Sequence, residues 1–379
     1  MHNIYIYIIR YIKAFLLMPV FFALALMLNA CSDDNDYHKQ AKEVNFNLRT
    51  SAQSYGSVPL LRSVPAGYTV DMGTNGNANS DLVIYITKDN EVVQRVLFKW
   101  STANQWSKKV PIEPSSSNSD YYYIYGYMPA DAATATITPY TNDDYSTGAQ
   151  MVLTGLNTVS TKDLCVITSA ATNDYTSAGK FYITVQDGDN DLYLLMNHLY
   201  AKLRLDYKVE GTSNYYNLRA IKLKQVDMVT SVGGVTITIK SDPNYSIQTT
   251  YTPSSSTSEQ TVTILDVEHD NDDTNNDGIE ITPTGITVPA FFTPMPNGTS
   301  RNIVFISTYD VYYRNTDGTV SDKIVRKGCT ARNEWTLKAL DGDFGAGKQV
   351  IVSATIAPTY LYQLADPDLD NPTINLSTN

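Results

Sequence analysis

From Leu199 to Glu210 the chain alternates without a break. Leu199, Ala201, Leu203, Leu205, Tyr207 and Val209 are apolar or aromatic, and Tyr200, Lys202, Arg204, Asp206, Lys208 and Glu210, polar or amphipathic, lie between them. In an extended chain successive side chains point to opposite faces, so a period of two marks a strand with one face in a core and the other in water. A helix would scatter the same residues around its axis.

The same reading extends along the body of the chain. Leu82 to Thr87 and Val92 to Phe98 flank Lys88-Asp89-Asn90-Glu91, a hairpin pattern. Tyr121 to Tyr127 is aromatic and strand-prone, with Met128-Pro129 stopping it. On a strand Tyr121, Tyr123, Tyr125 and Tyr127 share one face and Tyr122 and Ile124 the other, a pattern suited to inter-sheet packing or to an aromatic contact surface. Further strands are expected at Phe181 to Val185, Val235 to Ile239, Thr261 to Leu265, Ile303 to Tyr313 and Gln349 to Ile356, and one short helix at Asn333 to Leu340. Strands separated by Asn, Asp, Gly and Ser turns, without helices between them, favour an all-β chain of antiparallel sandwiches over a βαβ fold. The turn-rich acidic run Gln186-Asp187-Gly188-Asp189-Asn190-Asp191 places a boundary between β-sandwich domains at residues 50–188 and 189–358.

Composition removes several functions. The 379 residues carry a formal charge of −11, which repels phosphate backbones and argues against a nucleic-acid partner. Three cysteines are too few for a disulfide scaffold; Cys165 and Cys329 read as free buried thiols, a disulfide between them across 164 residues being the alternative in an oxidising compartment. Four histidines leave little material for a histidine metal site, and no cofactor is expected. His198 reads as a histidine packing or capping a strand. Asp273 to Gly278 begins like a calcium loop, but Thr284 stands where a bidentate glutamate is needed; Glu268, Asp270, Asp272 and Glu280 offer another oxygen cage, and an acidic solvated hairpin loop accounts for the same residues. No G-x-S-x-G elbow, H-E-x-x-H pair or phosphate-cradling glycine loop is present, so an enzyme is not expected.

Residues 1–30 read as an export signal. Arg10 and Lys13 supply positive charge, and Ala14 to Leu28 is an uncharged apolar run of about 15 residues, shorter than the ~20 of a spanning helix. Leu28-Asn29-Ala30-Cys31 resembles the lipobox of bacterial lipoproteins, which makes Cys31 the expected lipidation site; an ordinary signal peptide ending near a cysteine is the alternative. Ser32-Asp33-Asp34-Asn35-Asp36 is similar to the surface-export tag of some Gram-negative lipoproteins, and also suits a solvated linker.

With these segments in order, the chain resembles the fimbrillin family of pilus subunits and their relatives. The lipobox leads into a short strand followed by an arginine. Tyr123 to Pro129, Asp163-Leu164-Cys165-Val166, Asn197-His198-Leu199-Tyr200-Ala201-Lys202-Leu203 and Ile356 to Tyr362 are similar to segments of that family in the same sequence. The resemblance implies two sandwich domains of transthyretin-like Greek-key topology, export as an outer-membrane lipoprotein, and head-to-tail assembly with other fimbrial subunits by strand exchange.

The residues support such a mechanism. Val44, Phe46 and Leu48 alternate with polar residues and meet Arg49, so residues 31–49 make an anchor linker and a removable strand. At 1.5–3 kcal/mol per buried side chain, three such residues contribute on the order of 5–9 kcal/mol. Cleavage after Arg49, or after the rival Arg62, would release the strand and leave an apolar groove that a neighbouring subunit refills. A subunit that is not processed keeps a permanent edge strand. The donor is expected in residues 359–379, where Tyr360, Tyr362 and Leu364, and then Ile374 and Leu376, offer apolar side chains at alternate positions; a locally packed terminus is the alternative. A monomeric surface lipoprotein that binds a glycan or host protein is the competing function.

Overall fold

The computed structural model describes residues 42–53, 68–69, 80–102, 106–142, 145–157, 159–175, 181–210, 214–230, 235–241, 247–253, 260–267, 278–293, 301–337, 346–356 and 373–378. They are almost entirely β. In chain order the strands are β1 (Glu43–Gln53), β2 (Tyr68–Thr69), β3 (Leu82–Lys88), β4 (Glu91–Phe98), β5 (Trp106–Pro111), β6 (Tyr122–Met128), β7 (Thr134–Asn142), β8 (Tyr145–Leu156), β9 (Cys165–Ala171), β10 (Tyr182–Ile183), β11 (Asp189–His198) and β12 (Ala201–Val209). A single helical turn, α1 (Asn214–Leu218), leads into β13 (Arg219–Thr230), β14 (Val235–Ser241), β15 (Ile247–Pro253), β16 (Gln260–Asp266), β17 (Ile279–Glu280), β18 (Ile286–Thr287) and β19 (Phe291–Thr293). The series ends with β20 (Arg301–Arg314), β21 (Val320–Leu337), β22 (Gln349–Ile356) and β23 (Thr373–Thr378).

Nine strands form the first sheet, in the order β2-β1-β11-β9-β6-β3-β4, with β5 on β1 and β10 on β6. It curls until β4 lies beside β5, where the Gln94 amide donates to the Pro111 carbonyl at 2.8 Å and Lys108 Nζ donates to the Leu97 carbonyl at 3.1 Å. The concave face closes over one core, made by Phe46, Ile84, Phe98, Ile124, Ile167 and Leu194 among others. Its opposite face, through Val83, Tyr85, Tyr127 and Val166, packs with Met151, Leu153, Ile237 and Ile239 of a four-stranded sheet ordered β15-β14-β8-β7. Two five-stranded sheets, β18-β12-β22-β23 with β19 and β16-β13-β20-β21 with β17, enclose a third core.

The hairpin expected around Lys88 to Glu91 is present. Asp89 and Asn90 have φ of 50° and 64°, and two successive positive values are what a two-residue turn matching strand twist requires. Strand β12 has the expected alternating burial, with Ala201, Leu203, Leu205, Tyr207 and Val209 inside. The tyrosine-rich β6 is core on both faces: Tyr122 and Ile124 sit in the concave core, while Tyr125 stacks on Phe181 with centroids 5.4 Å apart.

Three features differ from expectation. The segment from Asn333 is not helical; β21 runs through Leu337 and pairs antiparallel with β20, whose ladder from Phe305↔Asn333 to Arg301↔Leu337 overrides weak helical propensity. The sheets are not wholly antiparallel, since β1 runs parallel to β11 and β12 parallel to β22. β11, whose first residue is Asp189, is hydrogen-bonded between β1 and β9 of the first sheet, so residues 189–198 belong to that sheet.

Gly126 explains a close approach at the centre of that sheet. A Cβ there would collide with the Val83 carbonyl oxygen and lie 2.9 Å from Ile167 Cδ1. Gly126→Ala is therefore expected to destabilise the protein by about 1–3 kcal/mol, the cost of overpacking a filled site, read as a lowered denaturation midpoint at unchanged denaturant slope.

Candidate functional site

The strand that sequence marks as removable is β1, and its place in the first sheet is interior. It runs parallel to β11 from Asn45↔Asp189 to Ala52↔Met196, and antiparallel to β5 from Glu43↔Pro111 to Leu48↔Trp106. Alternation does the rest: Val44, Phe46, Leu48 and Ala52 point into the concave core, all 2% exposed or less. Phe46 is among the largest fully buried side chains in the described residues.

The outward face of β1 carries a polar ladder. Asn45 donates to the Asp189 carboxylate at 2.9 Å, Asn47 to Asp191 at 3.2 Å, and Ser107 Oγ donates to Asn47 Oδ1 at 2.7 Å. At the strand's start Lys42 pairs with Asp187 at 2.5 Å, both side chains being largely exposed, a pair of small energetic weight. The strand is thus held by apolar burial on one face and weaker polar contacts on the other.

Arg49 is exposed, its guanidinium 5.7 Å from the centroid of the Tyr193 ring. The β5 register ends at Leu48 and the β2 register begins at Ala52, so Arg49 lies at a break in the ladder on that side. Beyond it Thr50, Ser51 and Ala52 are buried and stay in register with β11. Cys31, Arg62, Tyr360, Tyr362, Leu364 and nearly all of the Asp273 to Gly278 loop lie outside the described residues. Ile374 and Leu376 fall in β23, whose backbone pairs antiparallel with β22 at the edge of its sheet. Glu280 makes an ion pair with Arg314.

A second constellation escaped the sequence reading. Cys165 opens β9 and His198 closes β11, directly opposite each other in the antiparallel register, with Asp163 two residues before Cys165. His198 Nδ1 lies 2.8 Å from Asp163 Oδ2 and 3.1 Å from Cys165 Sγ, and all three residues are buried. Nearby, burial pushes the Tyr200 hydroxyl up and the Lys202 ammonium down, with the Asp163 charge favouring the cationic lysine. The residues are 35 positions apart in sequence; only the β9–β11 pairing unites them. Cys165, which is buried, and Cys329 are not joined in a disulfide.

No protein-family model and no curated protein matches the chain. Among solved structures it is similar to a fimbrial protein from Bacteroides vulgatus, at 12% identity, with 89% of this chain and 98% of that chain covered and a TM-score of 0.44. It is also similar to a "putative cell adhesion protein" from Bacteroides uniformis, at 12% identity, 89% and 98% coverage and a TM-score of 0.38. Within the described residues no helix is long and apolar enough to cross a membrane.

If β1 is the keystone of the concave core, Phe46→Ala should cost about 3–5 kcal/mol by equilibrium denaturation, the range for deleting a buried aromatic. Asn47→Ala, on the wet face, should cost no more than about 1.5 kcal/mol, the worth of an ordinary hydrogen bond.

Proposed function

We propose that the chain is a structural subunit, shaft or tip, of a cell-surface fimbria that supports adhesion. In this reading it is exported as a lipoprotein acylated at Cys31 and held in the outer membrane. An arginine-specific cut then frees it, and subunits polymerise head-to-tail by donor-strand exchange. The observation that carries the reading is the burial of Val44, Phe46 and Leu48 in a slot between β11 and β5.

Loss of this strand would strip the concave core of its apolar plug and uncover two strand edges at once. A strand from a sister subunit, adding its backbone to the same ladder, restores both. Donor and acceptor surfaces differ, so the contact is heterologous and builds a filament rather than a closed pair. Arg49 suits processing because it is exposed beside a break in the ladder, where a protease can bind its substrate as an added strand. The donor is assigned to residues 359–379; Ile374 and Leu376 must first leave β22, which retains β12 on its other side.

One observation favours the alternative, a monomeric surface lipoprotein that binds a glycan or host protein. Thr50, Ser51 and Ala52 extend the buried part of β1 past Arg49, so a cut there removes only part of the strand. A cut after Arg62 would release the whole of it.

Incubating the purified, unlipidated chain with a trypsin-like protease should convert it into a ladder of oligomers on a native gel, and Arg49→Ala with Arg62→Ala should abolish the ladder. A single truncated monomer that stays folded refutes polymerisation and leaves the monomeric reading. Deleting Thr359 to Asn379 should remove the ladder while the circular dichroism of the β structure persists; ladders from the deleted chain would refute the donor assignment.

A further inference from the structure

We propose that Asp163, Cys165 and His198 form a binding site for one divalent transition-metal ion of zinc's chemistry, fastening the end of the first sheet to the strand that opens the next. A thiolate, an imidazole nitrogen and a carboxylate oxygen are the three side-chain donors zinc takes, and soft sulfur selects it over magnesium or calcium. Here one ligand atom from each of the three residues lies within 4.8 Å of the other two. Tetrahedral zinc, with bonds of about 2.0–2.3 Å, sets its ligand atoms roughly 3.3–3.7 Å apart. The Nδ1 contacts at 2.8 and 3.1 Å need only open by about half an ångström to receive the ion, an adjustment small side-chain rotations supply.

Nδ1 faces both the carboxylate and the sulfur in a fully buried setting. A cation at that point bonds all three donor atoms at once and offsets the cost of burying a carboxylate and a thiolate together. Position is fixed by rigid backbone: Cys165 and His198 are cross-strand partners, and the Leu199 amide donates to the Leu164 carbonyl at 2.8 Å. Two residues after Leu199, β12 begins.

The test uses the full-length chain carrying Cys31→Ser and Cys329→Ser, so that Cys165 is the sole thiol, produced in medium supplemented with zinc or with cobalt. Elemental analysis after gel filtration should find one metal per chain, and the cobalt form should show a thiolate-to-cobalt charge-transfer absorption. Asp163→Asn, which keeps the shape and removes the charge, should weaken zinc binding at least about tenfold in a competition titration. Folded protein with substoichiometric metal, or with metal but no thiolate–cobalt absorption, would overturn the site and leave a hydrogen-bonded cluster in its place.

Discussion

The first sheet depends on one seating: β1 laid between β11 and β5, with Val44, Phe46 and Leu48 turned inward. Burying three such side chains is worth on the order of 5–9 kcal/mol, against a net stability of about 5–15 kcal/mol for a typical domain. The two quantities are of the same size. A chain deprived of this strand would give up a large share of that margin and expose an apolar slot unless a strand from elsewhere fills it. That physical dilemma is the basis of the proposed assembly.

The same plan appears twice along the chain. In the first sheet the opening strand β1 runs parallel to β11, the last strand of that sheet in sequence. In the next, the opening strand β12 runs parallel to β22, with β18 and β19 antiparallel on its other side much as β5 flanks β1. Parallel neighbours cannot be joined by a tight turn, so each such pair closes a long excursion of chain. The second opening is tightly tied to the first sheet: β12 follows β11 after only Leu199 and Tyr200, both buried.

Strands with a clean period, a turn signature or a dense apolar run were legible in the sequence, and those lacking all three were not. β12 and the β3–β4 hairpin announce themselves by period and turn chemistry. β13 does not, because a bulge between Leu223 and Gln225 shifts the inward set from Ile221 and Leu223 to Val226 and Met228, and brings Lys224 inside to meet Asp310 at 3.2 Å. β21 was hidden because Asn333 to Leu337 has no strand signature of its own; its partner β20 decides it. Of the candidate site, the plug of Val44, Phe46 and Leu48 is local and could be read. The meeting of Asp163, Cys165 and His198 depends on cross-strand register, which no local pattern encodes.

The parallel pairing of β12 with β22 also sets how this molecule answers a pull. Eight register pairs, from Lys202↔Gln349 to Val209↔Ile356, join strands whose entry and exit lie at opposite ends of the ladder. Tension between the entry of β12 and the exit of β22 therefore loads those hydrogen bonds together, in shear. The antiparallel pair of β22 and β23, drawn from Thr378, instead opens one bond after another. A strand that peels bond by bond on one side of β22, and a ladder that yields only as a whole on the other, give the two sides of that strand different resistance to force.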